Sequence, residues 1–383
     1  MARKKRLEDK ITTNRLERTS YPLFDLGEGS QKFIAFIIVL AILCAAATPY
    51  PHVAMWLGFA LAGYSAIAND SIQTIGTFIV SNNNKKWWVL WLYIGGIFLL
   101  AVGQSWYLND GDVSSGRLTS KGFDVAPTSF SFLQLAAPLI LLVLTRMKMP
   151  VSTTFLILNA FADKPSTMWG VIQKSIMGYL LAFTLALVVW YVIDKTVANL
   201  VRGKKPAKWW MPVQWVTSGL LWFTWIQQDA ANIAVFLPRQ LDTTEFMLFA
   251  GYIFLGLGLL FYLKGDRIQD IVNEKSGVAD IRAATVVDFV YAIILFYFKI
   301  HSKIPMSTTW VFIGLLAGRE IAISFTKKRA TKRKMSLMKS LRMMRGDLVK
   351  AFIGLAISVV LAIMINDQMR EELLGGILGM IGF

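Results

Sequence analysis

What constrains this chain most is its partition into long apolar blocks, at 33–48, 54–80, 87–108, 128–145, 151–162, 168–193, 211–237, 244–263, 284–300, 306–325 and 348–366. A helix rising about 1.5 Å per residue needs roughly 20 apolar residues to cross a hydrocarbon core of about 30 Å. With 55% of its 383 residues hydrophobic and 17% charged, the chain reads as an all-α integral membrane protein. Its net charge of +16, from 40 basic and 24 acidic residues, does not point to nucleic acid, because the basic residues lie between the apolar blocks and act as topology signals. The single cysteine, Cys44, lies in an apolar run and can form no intrachain disulfide. The first 32 residues are polar and basic, and no cleavable signal peptide is expected from them or from the block that follows.

Two joints interrupt the blocks in the same way. Arg146-Met147-Lys148-Met149-Pro150-Val151-Ser152-Thr153-Thr154 and His301-Ser302-Lys303-Ile304-Pro305-Met306-Ser307-Thr308-Thr309 share the pattern [R/H]-x-K-x-P-x-S-T-T, their serines 155 residues apart (307 − 152). A match at fixed separation sets the architecture before any one residue is interpreted. The apolar stretches on either side of each joint are short, so both read as re-entrant hairpins whose tips turn inside the membrane. The expected fold is therefore two inverted-topology repeats with broken helices and two re-entrant hairpins. A basic cytoplasmic arm (1–32) and a leading transmembrane helix (33–53) come first, then the first repeat (54–162, hairpin 128–162). A connecting helix with a basic loop (163–210) leads to the second repeat (211–325, hairpin 284–325). A basic cytoplasmic loop (326–347) and a final transmembrane helix with its tail (348–383) complete the chain.

Orientation follows from charge. With the N-terminus cytoplasmic, the inner segments 1–32, 81–86, 194–210, 264–283 and 326–347 hold 28 Lys and Arg, against 5 in the outer segments 49–53, 109–127, 163–167, 238–243 and 367–383. The bias favours this topology in the cell (cytoplasmic) membrane, and it makes the two hairpins open to opposite faces, as inverted repeats require. The Trp87-Trp88 and Trp209-Trp210 pairs, each following lysines at an inner boundary, read as interfacial anchors. Gly95-Gly96 reads as a site of close helix packing.

A second matched pair lies upstream of the hairpins: Ala68-Asn69-Asp70-Ser71-Ile72-Gln73 and Gln227-Gln228-Asp229-Ala230-Ala231-Asn232, with aspartates 159 residues apart (229 − 70). Each aspartate sits within an apolar block, where insertion scales assign about +2.5 to +3.5 kcal/mol to Asp at a helix centre. A carboxylate kept there serves either a hydrogen bond to a neighbouring helix or an ion. Asp70 and Asp229, with the amides of Asn69, Gln73, Gln228 and Asn232, suit a hard cation such as Na⁺ or a proton relay.

The Ser-Thr-Thr segments have their own chemistry. Proline ends one helix and is tolerated at the start of the next, so Ser152, Thr153, Thr154, Ser307, Thr308 and Thr309 fall near a helix N-terminus, where backbone N–H groups lack intrahelical partners. Those groups, the hydroxyls and the positive end of the helix dipole converge on an oxyanion, with Lys148 and Lys303 as added positive charge. A hydroxyl in a membrane helix can also simply bond the carbonyl a turn earlier; two copies in matched contexts favour the anion site.

Together, two Asn-Asp-type helices and two Pro-x-Ser-Thr-Thr hairpins resemble the inorganic phosphate transporter (PiT) family, a divergent sodium/phosphate symporter type, over roughly residues 54–325. The resemblance implies that Asn69, Asp70, Gln73, Gln228, Asp229 and Asn232 serve the coupling cation, Na⁺ or alternatively H⁺, and that the two Ser-Thr-Thr segments hold the anion. It implies a non-enzymatic symporter of inorganic phosphate in a lipid bilayer, with no organic cofactor; a homodimer is one assembly open to it. The chain departs from the family pattern where Phe155 and Trp310 replace histidine, Gln228 replaces the asparagine of the second pair, Gln73 stands for asparagine and Ala66 for glycine. Sulfate is the alternative substrate. The competing classes are an intramembrane aspartyl enzyme, for which the chain lacks a Gly-x-Gly-Asp element, and a non-transporting receptor on the same scaffold.

Overall fold

A computed structural model describes residues 28–82, 84–119, 122–147, 149, 151–162, 164–196, 206–263, 281–325, 330–367 and 370–372. Among the described residues the protein is all-helical. In chain order the helices are α1 (Glu28–Ala47), α2 (Pro51–Ser81), α3 (Trp87–Leu108), α4 (Phe132–Arg146), α5 (Thr153–Leu156), α6 (Pro165–Thr196), α7 (Trp210–Ala234), α8 (Thr243–Tyr262), α9 (Ile281–His301), α10 (Thr308–Phe325) and α11 (Ala330–Ile365), with a 3₁₀ turn at Leu158–Phe161. The chain divides after Leu43 into two compact units, the first holding most of α1 and the second everything from Cys44 onward.

Six helices among the described residues, α3, α6, α8, α9, α10 and α11, are long and apolar enough to cross a membrane. The chain is an all-helical multi-pass membrane protein, the class read from its sequence. Helices α2 and α7, with 31 and 25 residues, have the length of a crossing as well, and each carries one of the polar Asp clusters in its C-terminal half.

Backbone interruptions follow local chemistry. Pro51 starts α2 at its first position, where a missing N–H costs nothing. Ser131 with Gln134 and Asp242 with Glu245 form capping boxes that start α4 and α8. The expected half-helix 151–162 is not continuous: α5 lasts four residues and gives way at Ile157 to the 3₁₀ turn. The two arms of the second joint, by contrast, are full-length helices of 21 and 18 residues rather than the short arms expected. The basic segment 326–347 is also different from a loop, since α11 runs unbroken from Ala330 through it into the last apolar block; Leu, Met, Lys and Arg are all good helix formers. Residues 1–27, most of the basic arm, and the connection 264–280 lie outside the described residues.

Helix α10 packs against α6, α9 against α7, and α2 against α4 and α7. The closest approach is between α10 and α6, where a Cβ on Gly314 would lie 2.4 Å from the Tyr179 carbonyl oxygen and one on Gly318 2.2 Å from that of Phe183. That Gly-x-x-x-Gly ridge lets the two backbones touch. Gly95 makes room for the Phe254 ring of α8, whereas Gly96 faces open space. Trp88 and Trp209 are exposed, in keeping with interfacial anchors.

Candidate ion-binding site

The two joints and the two Asp clusters meet in one buried centre, where α2, α7, α5 and the start of α10 come together. Ser152 begins α5 by accepting the Phe155 N–H at 3.2 Å, and Ser307 accepts the Trp310 N–H at 3.2 Å in the same way. Both serines thus cap their helix starts by accepting, and each keeps its O–H as a donor, while the threonines reach toward the carboxylates. Thr153 Oγ1 donates to Asp70 Oδ2, and Thr308 Oγ1 donates to Asp229 Oδ2 at 2.5 Å. Each carboxylate has a matching amide as well: Asn69 Nδ2 donates to Asp70 Oδ1 at 2.8 Å, and Asn232 Nδ2 to Asp229 Oδ1 at 2.7 Å. The sequence repeat is therefore a repeat of hydrogen bonds.

Thr154 joins the two halves. Its hydroxyl donates to Met306 O at 3.2 Å and receives Asn232 Nδ2 at 3.1 Å, which ties the first joint to α7 and to the second joint. The Ser307 N–H donates to Ser175 Oγ at 2.8 Å, so α6 supports the second joint from behind. Tyr291 of α9 donates to Thr308 O at 2.8 Å. All six hydroxyl residues and both aspartates are buried.

A carboxylate in low dielectric is tolerable when charge-assisted bonds or a cation satisfy it. Among the described residues Asn232 Oδ1 is buried with no hydrogen-bond partner, an acceptor beside Asp229. Asp70, Asp229 and Asn232 thus present oxygen donors of the kind a hard cation takes. Gln228 is different: its Oε1 accepts Arg117 Nε at 2.9 Å and its Nε2 donates to Leu295 O at 3.0 Å. Gln73 has a side chain outside the described residues, as does Lys148. Lys303 is exposed, with its ammonium lying against Gly116.

Three buried polar groups escaped the sequence reading. Arg117 was counted only as an outer-segment charge, yet it is 1% exposed. Lys174 of α6 donates to Ser302 O at 3.2 Å and to Ile304 O, bracing the second joint. Asp288 of α9 accepts Thr77 Oγ1 at 2.7 Å and Ser218 Oγ at 2.5 Å, fastening α9 to α2 and α7. The criterion that singled out Asp70 and Asp229, a carboxylate within an apolar block, fits Asp288 equally.

The departures at Phe155 and Trp310 meet each other: the rings stand edge to face with centroids 5.6 Å apart, and Trp310 also contacts Phe352 at 5.2 Å. Both rings are buried, so they form packing between α5, α10 and α11. His301 is exposed and stacks on Tyr297 at 4.4 Å. A small apolar cavity bounded by Ile67, Phe98, Trp222, Trp225 and Leu257 includes none of the hydroxyl or carboxylate groups.

No protein-family model and no curated protein sequence matches the chain. Among solved structures, a sodium-dependent phosphate transporter superposes with a TM-score of 0.52 at 18% identity, covering 85% of this chain and 99% of that one. The chain shares that transporter's fold.

Proposed function

We propose that this protein is a cation-coupled symporter that imports inorganic phosphate with Na⁺ through the cell membrane, its N-terminus cytoplasmic. The observation that carries the reading is the doubled bond between joint and carboxylate, Thr153 to Asp70 and Thr308 to Asp229. Groups suited to an oxyanion and groups suited to a cation thereby form one cluster. Coupling needs that proximity, because a cation at the carboxylates lowers the cost of bringing an anion beside them. The fold shared with a sodium-dependent phosphate transporter supports the same reading.

In this mechanism Na⁺ takes oxygens of Asp70, Asp229 and Asn232. The threonine hydroxyls then turn from the carboxylates toward the anion, joined by the free N–H groups at the start of α10. Movement of the two halves against each other opens the site first outward and then inward. Uptake of radiolabelled phosphate into proteoliposomes tests the assignment: Asp70→Asn and Ser307→Ala should each reduce Na⁺-driven uptake severalfold or more. Unchanged uptake in both variants would show that the site lies elsewhere. Sulfate in excess should leave phosphate uptake intact; full competition would assign the chain to sulfate.

A further inference from the structure

The segment between α3 and α4 was expected to be an outer loop, and its first part is instead built into the protein. Ser105 Oγ donates to Asp112 O at 2.6 Å and accepts the Ser115 N–H at 2.8 Å, which pins the loop to the end of α3. The Asp112 carboxylate accepts the N–H groups of Ser114 at 2.6 Å and Gly116 at 2.8 Å. Ser114 Oγ accepts the N–H groups of Arg117 at 3.2 Å and Leu118 at 2.9 Å. Ser115 and Gly116 have φ of +57° and +76°, a left-handed corner that turns the chain inward just before Arg117. This network fixes a guanidinium before any ligand arrives.

The charged groups around Arg117 come from four elements: Asp112 on its own loop, Asp229 on α7, Lys174 on α6 and Lys299 on α9. Its Nε rests on Gln228 Oε1, a neutral acceptor next in sequence to Asp229. Gln228 is held in turn by Leu295 O, so its oxygen is aimed at the guanidinium. A side chain one methylene longer than the asparagine of the first cluster suits that reach. Thr308, at the head of α10, bonds the same Asp229.

We infer that Arg117 is a ligand of the transported oxyanion, presented by the α3–α4 loop and positioned by Gln228. The inference rests on the transport reading above. A cluster with two carboxylates repels an entering anion, and a fixed guanidinium beside one of them offsets part of that repulsion. Its planar fork suits phosphate oxygens, and it stays charged across the physiological range. Gln228 is thus a positioning residue for Arg117 and not a cation ligand.

The test is equilibrium binding of radiolabelled phosphate to the purified full-length chain in Na⁺ buffer, measured across pH. Arg117→Gln should weaken phosphate binding by about tenfold or more, as loss of a charge-assisted contact does, with Arg117→Lys intermediate. The loss in Arg117→Gln should persist across the pH range, because the guanidinium stays charged throughout it. Should Arg117→Gln not fold, Gln228→Asn, which withdraws the positioning oxygen, should weaken binding in the same direction. A density map of the unaltered protein in Na⁺ phosphate should show the tetrahedral anion within hydrogen-bond reach of the guanidinium. Equal affinity in native protein and variants across that range, or an anion seated away from Arg117, overturns the inference and leaves the transport reading standing. No phosphate binding by the native chain at any Na⁺ concentration overturns both.

Discussion

Replacing Thr308 by valine probes the centre with little disturbance of shape. Valine keeps the branched outline and removes the hydroxyl that donates to Asp229 at 2.5 Å. Thr308 and Asp229 are both buried, so water cannot replace the lost donor. In the proposed mechanism that hydroxyl passes from Asp229 to the anion, and a hydrogen bond to a charged acceptor is worth about 1.5–3 kcal/mol, a factor of roughly 10 to 150 in an equilibrium constant. The bond from Tyr291 to the Thr308 carbonyl uses the backbone and survives, and the Ser307 cap is untouched. The helix start should therefore hold while half-saturation for phosphate rises by about tenfold to a hundredfold in Na⁺-driven uptake. Thr153→Val should behave alike, since Thr153 stands to Asp70 as Thr308 does to Asp229. If both variants lose thermal stability and yet transport phosphate with native half-saturation, the threonines only brace the carboxylates and the reasoning fails.

Further expectations separate packing from transport. Asp288→Ala leaves the hydroxyls of Thr77 and Ser218 without their acceptor, at about 1–3 kcal/mol for each buried group, and should lower the thermal unfolding temperature in detergent more than Asp70→Asn does. Gly314→Ala places a methyl 2.4 Å from the Tyr179 carbonyl oxygen and should destabilise the α6–α10 contact by about 1–3 kcal/mol, read by the same thermal assay. Trp310→Ala removes a buried ring packed on Phe155 and Phe352 and should cost about 3–5 kcal/mol of stability, with the preference for phosphate over sulfate unaltered in competition uptake. A change in that preference without loss of stability would place Trp310 at the anion instead.

How much of this was legible in the sequence depended on whether a residue's partner is fixed by local pattern. The apolar blocks gave the helices because a membrane leaves the backbone no other choice on a single span. Asp70 and Asp229 stood out because a carboxylate in hydrocarbon needs an explanation, whereas the bond each accepts from a threonine of one joint is seen only in the structure. The two serines were read as anion ligands alongside the threonines, and each also accepts the N–H three residues ahead, a capping preference the sequence contains as well. Arg117 was hidden for a different reason. Its burial depends on Ser105, Asp112 and Ser114 folding the loop inward, and its partner Gln228 is 111 residues away. Nothing in a window of sequence distinguishes such an arginine from a surface charge. The facing of Phe155 and Trp310 is likewise a product of bringing two joints together, which no pattern within either joint encodes.

The central claim is that one buried cluster couples a cation to a phosphate ion. The measurement that tests it most directly is phosphate uptake by the purified, unaltered protein in sealed proteoliposomes, with an inward Na⁺ gradient or with Na⁺ replaced by K⁺ at constant pH. The account predicts saturable accumulation of phosphate with Na⁺ and none above empty vesicles with K⁺. Uptake of equal rate and extent under both conditions, or no uptake under either, would contradict it.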